Sequence, residues 1–357
     1  PHGTTERFAI QNVVMQGTVW AGLMCTCSMD KLGKQAYGDK TLLYKYKGSV
    51  EVPPLQMVDD VIAASKCGNQ VVSTNSAVTT FSKLKKLELS EQKCARLHIG
   101  KFKCDQCANI YVNEKPIKES EKEKYLGDYL TKYANPMETL QDRKCKGYGI
   151  LGEFRALLND IPLGTKRLET GLTLRESWFL NGTLYNSEVW CNLSESNLKQ
   201  IGILDRKILR CILGAHSKSP CEMLYLETNL IQIPDIVSTR RLMYYQNILK
   251  RQSDEIVKKV FLAQQKNPCK GDWIELVMDD MKKYNINLSE EKIIAMSEEH
   301  FKILVRKHIK QHSFQELSNI KGGHKKVKDI QHLSKGGVQE YLKSSKFTNT
   351  VCSPCII

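Results

Sequence analysis

Two short stretches each set two adjacent aspartates after a Met/Val pair: Gln56-Met57-Val58-Asp59-Asp60-Val61-Ile62 and Leu276-Val277-Met278-Asp279-Asp280-Met281-Lys282. Adjacent carboxylates can hold a divalent metal, or they can be two solvated charges. The flanking periodicity separates the two cases. Around Asp279-Asp280 the apolar residues Trp273, Leu276, Val277, Met281 and Tyr284 recur in steps of three and four, one helical face. Asp279, Lys282 and Lys283 fall away from it, so this pair reads as the wet side of a surface helix. Around Asp59-Asp60, Leu55 and Met57 alternate before the pair and Val61 and Ala63 after it, the period of paired strands. That pair is expected at a hairpin turn. A rigid carboxylate pair there suits Mg²⁺, with waters and substrate phosphates completing an octahedron; Asp-Asp is also an ordinary turn signal.

The cysteines offer a second possible chemistry. Cys104 and Cys107, and Cys352 and Cys355, each have half the spacing of a zinc site. His308 and His312 lie four apart on an expected helix and can share a face, but nothing in the spacing joins them to either Cys pair. Zinc binding is therefore not expected. Thirteen scattered cysteines give no regular disulfide framework, which points to a reducing, intracellular compartment, nucleus or cytoplasm, rather than secretion. The sequons at 181–183 and 192–194 then read as chance matches.

The elements that position these residues fall into two styles. Before about residue 130 the signals are mostly β with some helix: strands over 41–48, in two arms around 52–65, and at 94–100 and 125–130, with a helical spacing from Gln70 to Leu89. From Asn135 the pattern is helical. Asn135-Pro136 opens a helix ending near Pro162, and a second runs from about Thr165 to Trp190 with a break at Asn181-Gly182. Ser194 caps a third, striped by Leu198, Ile201, Leu204, Ile208 and Ile212 and stopped by Gly214. Ser219-Pro220-Cys221-Glu222 reads as a capping box. Further helices are expected at 235–252, 254–265, 271–284 and 297–319, and 320–340 as a loop or linker.

The chain has 357 residues, 41% hydrophobic and 26% charged, ordinary for a globular protein of two or three domains. Lys and Arg outnumber Asp and Glu by 53 to 39, a net +14 that favours an anionic partner such as nucleic acid. From His300 to Lys346, eleven Lys/Arg face three acids, so this stretch carries +8 of the excess. Its cluster Lys325, Lys326 and Lys328 suits a phosphate backbone, and equally a solvated tail. No signal peptide and no bilayer-length apolar run is present, so no membrane partner is expected.

The order of these features resembles the later half of a reverse transcriptase palm, nearest to the polymerases of non-LTR (LINE-type) retrotransposons. Val13–Leu23 resembles the Gln-Gly motif, and Met57–Asp60 the aromatic-Ala-Asp-Asp motif. The 70–89 helix followed by 90–100 is similar to the next motif, with Lys93 between helix and strand. Lys124–Leu130 resembles the Tyr-Leu-Gly primer-grip turn, and the helices after it the thumb and downstream region.

The resemblance implies an α+β fold: a partial palm over 1–132, with a small antiparallel sheet and helices, a helical thumb over 133–215, a helical downstream region over 216–319 and a basic tail over 320–357. It implies an RNA-directed DNA polymerase working by two-metal nucleotidyl transfer with Mg²⁺ or Mn²⁺. Asp59 would be a metal ligand and Asp60 its partner, and Lys93 would approach the triphosphate. Gln16 and Gly17 would line the nucleotide and template pocket. Tyr125, Leu126 and Gly127 would hold the primer end, and the 136–214 helices would grip an RNA template–DNA primer hybrid by shape and phosphate. In this reading Cys352 and Cys355 would begin a zinc finger.

The chain departs from the family pattern in places. Met57 and Val58 replace the usual aromatic and Ala, and Thr18–Leu23 replaces the usual Leu-Ser-Pro continuation. The palm also needs an aspartate from a strand before the Gln-Gly motif; fifteen residues precede Gln16 and none is Asp. The expectation is therefore a polymerase fragment or a remnant of a decayed element, inactive as it stands. The alternatives are a non-catalytic nucleic-acid-binding protein or a helical interaction protein.

Overall fold

The computed structural model describes residues 42–100, 109–191 and 193–318, with Cys25, Thr26, Met29, Asp30, Leu32 and Asp39 before them. The architecture is mixed α and β, with short two-stranded pairings followed by a long helical region. Contacts divide the chain into two compact units, Pro1–Glu123 with Thr131–Ala134, and Lys124–Leu130 with Asn135–Ile357.

The first unit begins with two hairpins, β1 (Tyr44–Tyr46) with β2 (Val50–Val52) and β3 (Leu55–Met57) with β4 (Asp60–Ile62). Helix α1 (Gly68–Leu84) follows and supplies the apolar surface the hairpins need. Its Phe81 and Val78 pack with Val61 of β4, and its Ala77 packs against Leu42 and Leu43. Gln70 Nε2 donates to the Leu43 carbonyl at 2.8 Å, fixing the chain before β1 to the helix. After a turn comes β5 (Ala95–Leu97), which pairs in parallel with β8 (Lys118–Ser120), while β6 (Tyr111–Val112) and β7 (Lys115–Pro116) form a hairpin between them. The described strands thus form separate pairs, one of them parallel, in place of the single small antiparallel sheet expected. The strands of two to four residues leave few ladder bonds to extend a sheet.

Strands β9 (Lys122–Tyr125) and β10 (Asp128–Thr131) make the last hairpin. A strand running through 125–130 was expected; Leu126 at φ +46° and Gly127 at φ +90° instead turn the chain back on itself.

The second unit is helical. Helix α2 (Met137–Asn159) opens where Asn135 Oδ1 accepts from the Met137 N–H at 2.9 Å. Helix α3 (Thr165–Leu174) runs on through a π-helical stretch, Arg175–Leu180, to Asn181–Thr183, so the break lies just beyond the expected Asn181-Gly182. Helix α4 (Glu195–Leu213) has the expected ends: a Ser194 capping box with Asn197, and Gly214 at φ +63°. Its stripe is fully buried. Helix α5 (Cys221–Thr228) starts with Pro220 at the N-cap position and no side-chain cap bond, so the capping box expected at Ser219 is not formed. Helices α6 (Ile233–Lys250), α7 (Ile256–Lys266), α8 (Trp273–Lys283), α9 (Glu290–Ala295) and α10 (Glu298–Ser318) complete it. One core runs from Leu140 to Val237 with Leu317, and a second from Leu242 to Ile309, so helix α6 serves both.

Each core holds a buried ion pair. Arg175 in the π-helical stretch holds Asp205 of α4 in a bidentate pair, Nε to Oδ1 at 2.6 Å and Nη2 to Oδ2 at 2.8 Å, and the Tyr225 hydroxyl donates to Oδ2 at 3.1 Å. Burial opposes the charge on Arg175, but Asp205 outweighs it and holds the guanidinium above its ordinary range. A second pair corrects the wet-side reading of Asp279-Asp280. Asp279 is exposed, whereas Asp280 is buried, taking Arg241 Nη1 at 2.6 Å and the Ser238 hydroxyl at 2.8 Å. The reason is the helical period itself: 280 lies three beyond Val277 and four before Tyr284, on the inner face.

Candidate functional site

Asp59 and Asp60 stand at the tip of the β3–β4 hairpin, with Met57 paired to Asp60 across it. Both carboxylates are exposed, and the strand that carries them is seated on α1 through Val61. The turn residue before them, Val58, has φ +58°, a left-handed conformation that a β-branched side chain rarely adopts. Strain of this kind persists where surrounding structure imposes it, and it concentrates at functional turns. Two adjacent carboxylates suit one Mg²⁺ that arrives with substrate phosphates. No group of three or more His, Cys, Asp or Glu able to hold a metal lies among the described residues, so the pair does not make a two-metal site by itself. Lys93 is exposed in the turn between α1 and β5, where its N–H bonds the Ser90 carbonyl at 3.1 Å.

The Tyr125-Leu126-Gly127 turn belongs to the second unit, and that unit grips it closely. Arg143 of α2 is buried beneath it, and its Nη2 donates to the Gly127 carbonyl and to Asp128 Oδ1, both at 2.9 Å. Asn186 Nδ2 donates to the Leu126 carbonyl at 3.3 Å. The Tyr185 ring lies over the Arg143 guanidinium, and a Cβ on Gly127 would come within 3.2 Å of it. Thr139 Oγ1 accepts the Tyr129 N–H at 2.7 Å, and Lys124 reaches Asp142 at 3.3 Å. Within this frame the Leu126 and Tyr185 side chains remain half exposed.

Beside the turn's anchor, α2 and α4 lie together. Lys144 bonds Gln200 at 3.2 Å, Gly147 meets Leu204, and Lys207 sits over the Tyr148 ring at 5.3 Å. These contacts advance in the same direction along both helices, so the two run in parallel. Their outer face carries Lys144, Tyr148, Gly152 and Arg155 from α2 and Lys199, Ile203 and Lys207 from α4, at helical spacing. Four cations interleaved with a tyrosine and an isoleucine, and no acid at those seven positions, make a surface suited to a phosphate backbone.

The remaining expected site residues, Gln16, Gly17, Lys325, Lys326, Lys328, Cys352 and Cys355, lie outside the described residues, as do Cys104 and Cys107. His308 and His312 do share a face of α10, where both pack on Tyr284: His308 Nδ1 lies 3.1 Å from its carbonyl and the His312 ring 5.2 Å from its ring. Sequence reasoning passed over Arg143, Tyr185 and Asn186. The one available signal was Tyr185-Asn186 as a turn pair after a helix; nothing marks Arg143 among 53 cations. Comparison of the chain with protein-family models, with curated proteins and with solved structures finds no match in any of the three.

Proposed function

We propose that the chain is part of an RNA-directed DNA polymerase of the non-LTR retrotransposon type, whose second unit binds an RNA–DNA hybrid. One observation carries the reading: three motifs that suggest such a palm fall on local structures suited to their roles. The Asp59-Asp60 pair caps a hairpin, Lys93 follows a helix and precedes a strand, and Tyr125-Leu126-Gly127 forms an anchored turn. In this reading Asp59 and Asp60 would hold a Mg²⁺ or Mn²⁺ ion, which would supply charge neutralisation at the nucleotide's phosphates. Leu126 and Gly127 meet the primer end, while the α2–α4 face follows the hybrid's backbone.

The test is primer extension on an RNA template by a chain extended upstream to restore the third aspartate. Activity that falls by several orders of magnitude in Asp59→Ala supports the polymerase reading. Extension that survives this substitution contradicts it. The α2–α4 face also favours a second reading, a hybrid-binding protein without catalysis; it predicts salt-sensitive binding and no extension from the extended chain.

A further inference from the structure

Resting on that reading, we propose that Arg143 is a positioning residue for the primer end, acting through the Leu126–Gly127 turn. The turn is the two-residue type with positive φ at both central positions, which favours Asn or Gly first. Here the first position is Leu126, at φ +46°, so its backbone is strained and must be held. Arg143 is fully buried within the frame, with 2% of its side chain exposed, and it is the group there that bonds the turn directly from beneath. From one nitrogen it ties the turn's Gly127 carbonyl to the Asp128 carboxylate, both at 2.9 Å. Its plane also supports Tyr185, which closes over Gly127. A leucine held in a costly conformation with its side chain outward is a displayed contact, not a packing residue.

The arrangement gives each residue a distinct task. Leu126 and Tyr185 form a small apolar surface for the terminal sugar or base. Arg143 touches no substrate; it fixes the height and angle of that surface relative to α2, the helix that carries Lys144, Tyr148 and Arg155. Loss of Arg143 should therefore spoil recognition of a primer end while leaving grip on the duplex backbone intact.

The experiment uses the full chain and two probes of equal duplex length: an RNA–DNA hybrid with a recessed DNA 3′ end over a template overhang, and a hybrid whose two strands are joined by loops at both ends, so that it offers no DNA 3′ end. In Arg143→Met, affinity for the recessed hybrid should fall roughly tenfold, the scale of one charge-assisted hydrogen bond. Affinity for the end-closed hybrid should stay within about twofold. Amide hydrogen exchange at Tyr129, whose N–H is held by Thr139 beside the turn, should accelerate without spreading along α2. Arg143→Lys keeps a buried cation beside Asp128 and guards against general unfolding; it should retain part of the preference. Equal loss on both probes, or an unchanged preference in either folded variant, overturns the positioning role alone. A wild-type chain that does not distinguish the probes overturns the functional reading and this inference with it.

Discussion

At the scale of single residues, the buried charges are the most sensitive points of this protein's stability. Asp205→Ala would leave Arg175 buried without its bidentate partner, and loss of one member of such a pair costs about 3–5 kcal/mol. Denaturant unfolding should show this as a lower midpoint with an unchanged slope. Two other carboxylates respond to pH with opposite signs. Burial holds Asp280 above its ordinary range, with Arg241 and Ser238 pulling back only in part. The folded state then takes up a proton more readily than the unfolded chain, so this group's contribution declines as pH rises above about 4. For Glu195 the hydrogen bond from Lys283 comes first and lowers its pKa. Its contribution is present above the unfolded value and fades as pH falls through the folded one. Thermal melting of Lys283→Ala should therefore lose part of wild-type's decline in acid, whereas Asp280→Asn should flatten the decline of stability above about pH 4.

At the scale of elements, close approach explains why the helices sit where they do. Gly147 lets α2 meet α4, and a Cβ there would fall 2.7 Å from Leu204 Cδ1. Gly147→Val should destabilise the chain by about 1–3 kcal/mol, read as a drop in melting temperature, because Leu204 and its packed neighbours must give way. It should also weaken hybrid binding by splitting the Lys144–Lys207 face. Legibility follows the range of each signal. Helix α4 can be read from Ser194, its apolar stripe and Gly214 because those signals are local. The Asp59-Asp60 hairpin can be read from alternation on both arms. The turn at Leu126 is suggested by the Tyr-Leu-Gly resemblance but not by local propensity, since leucine is a poor turn former; Gly127 helps it, and Arg143, Tyr185 and Asn186, contributed from 16 to 60 residues away, hold it. Asp280 and Arg175 are hidden for the same reason: a buried charge has the same letter as a solvated one until its partner is known.

At the scale of the molecule, contacts divide the chain into a β-rich unit bearing the aspartate pair and a helical unit bearing the Leu126–Gly127 turn and a cationic face. The net charge of +14 is compatible with the proposed anionic partner, and the α2–α4 face is where the proposal seats it. No helix among the described residues is long and apolar enough to cross a membrane. Removing the cations of that face should act on affinity through counterion release and not through sequence preference. The most direct measurement is therefore a salt titration of binding between the full chain and a recessed RNA–DNA hybrid, for wild type and for the chain carrying Lys144→Ala, Arg155→Ala and Lys207→Ala together. The account predicts a steep fall of log affinity with log salt in wild type, and a slope shallower by about 2–3 in the triple variant, near one per lost phosphate contact. Equal slopes for the two proteins, or no binding to the hybrid at low salt, would contradict it.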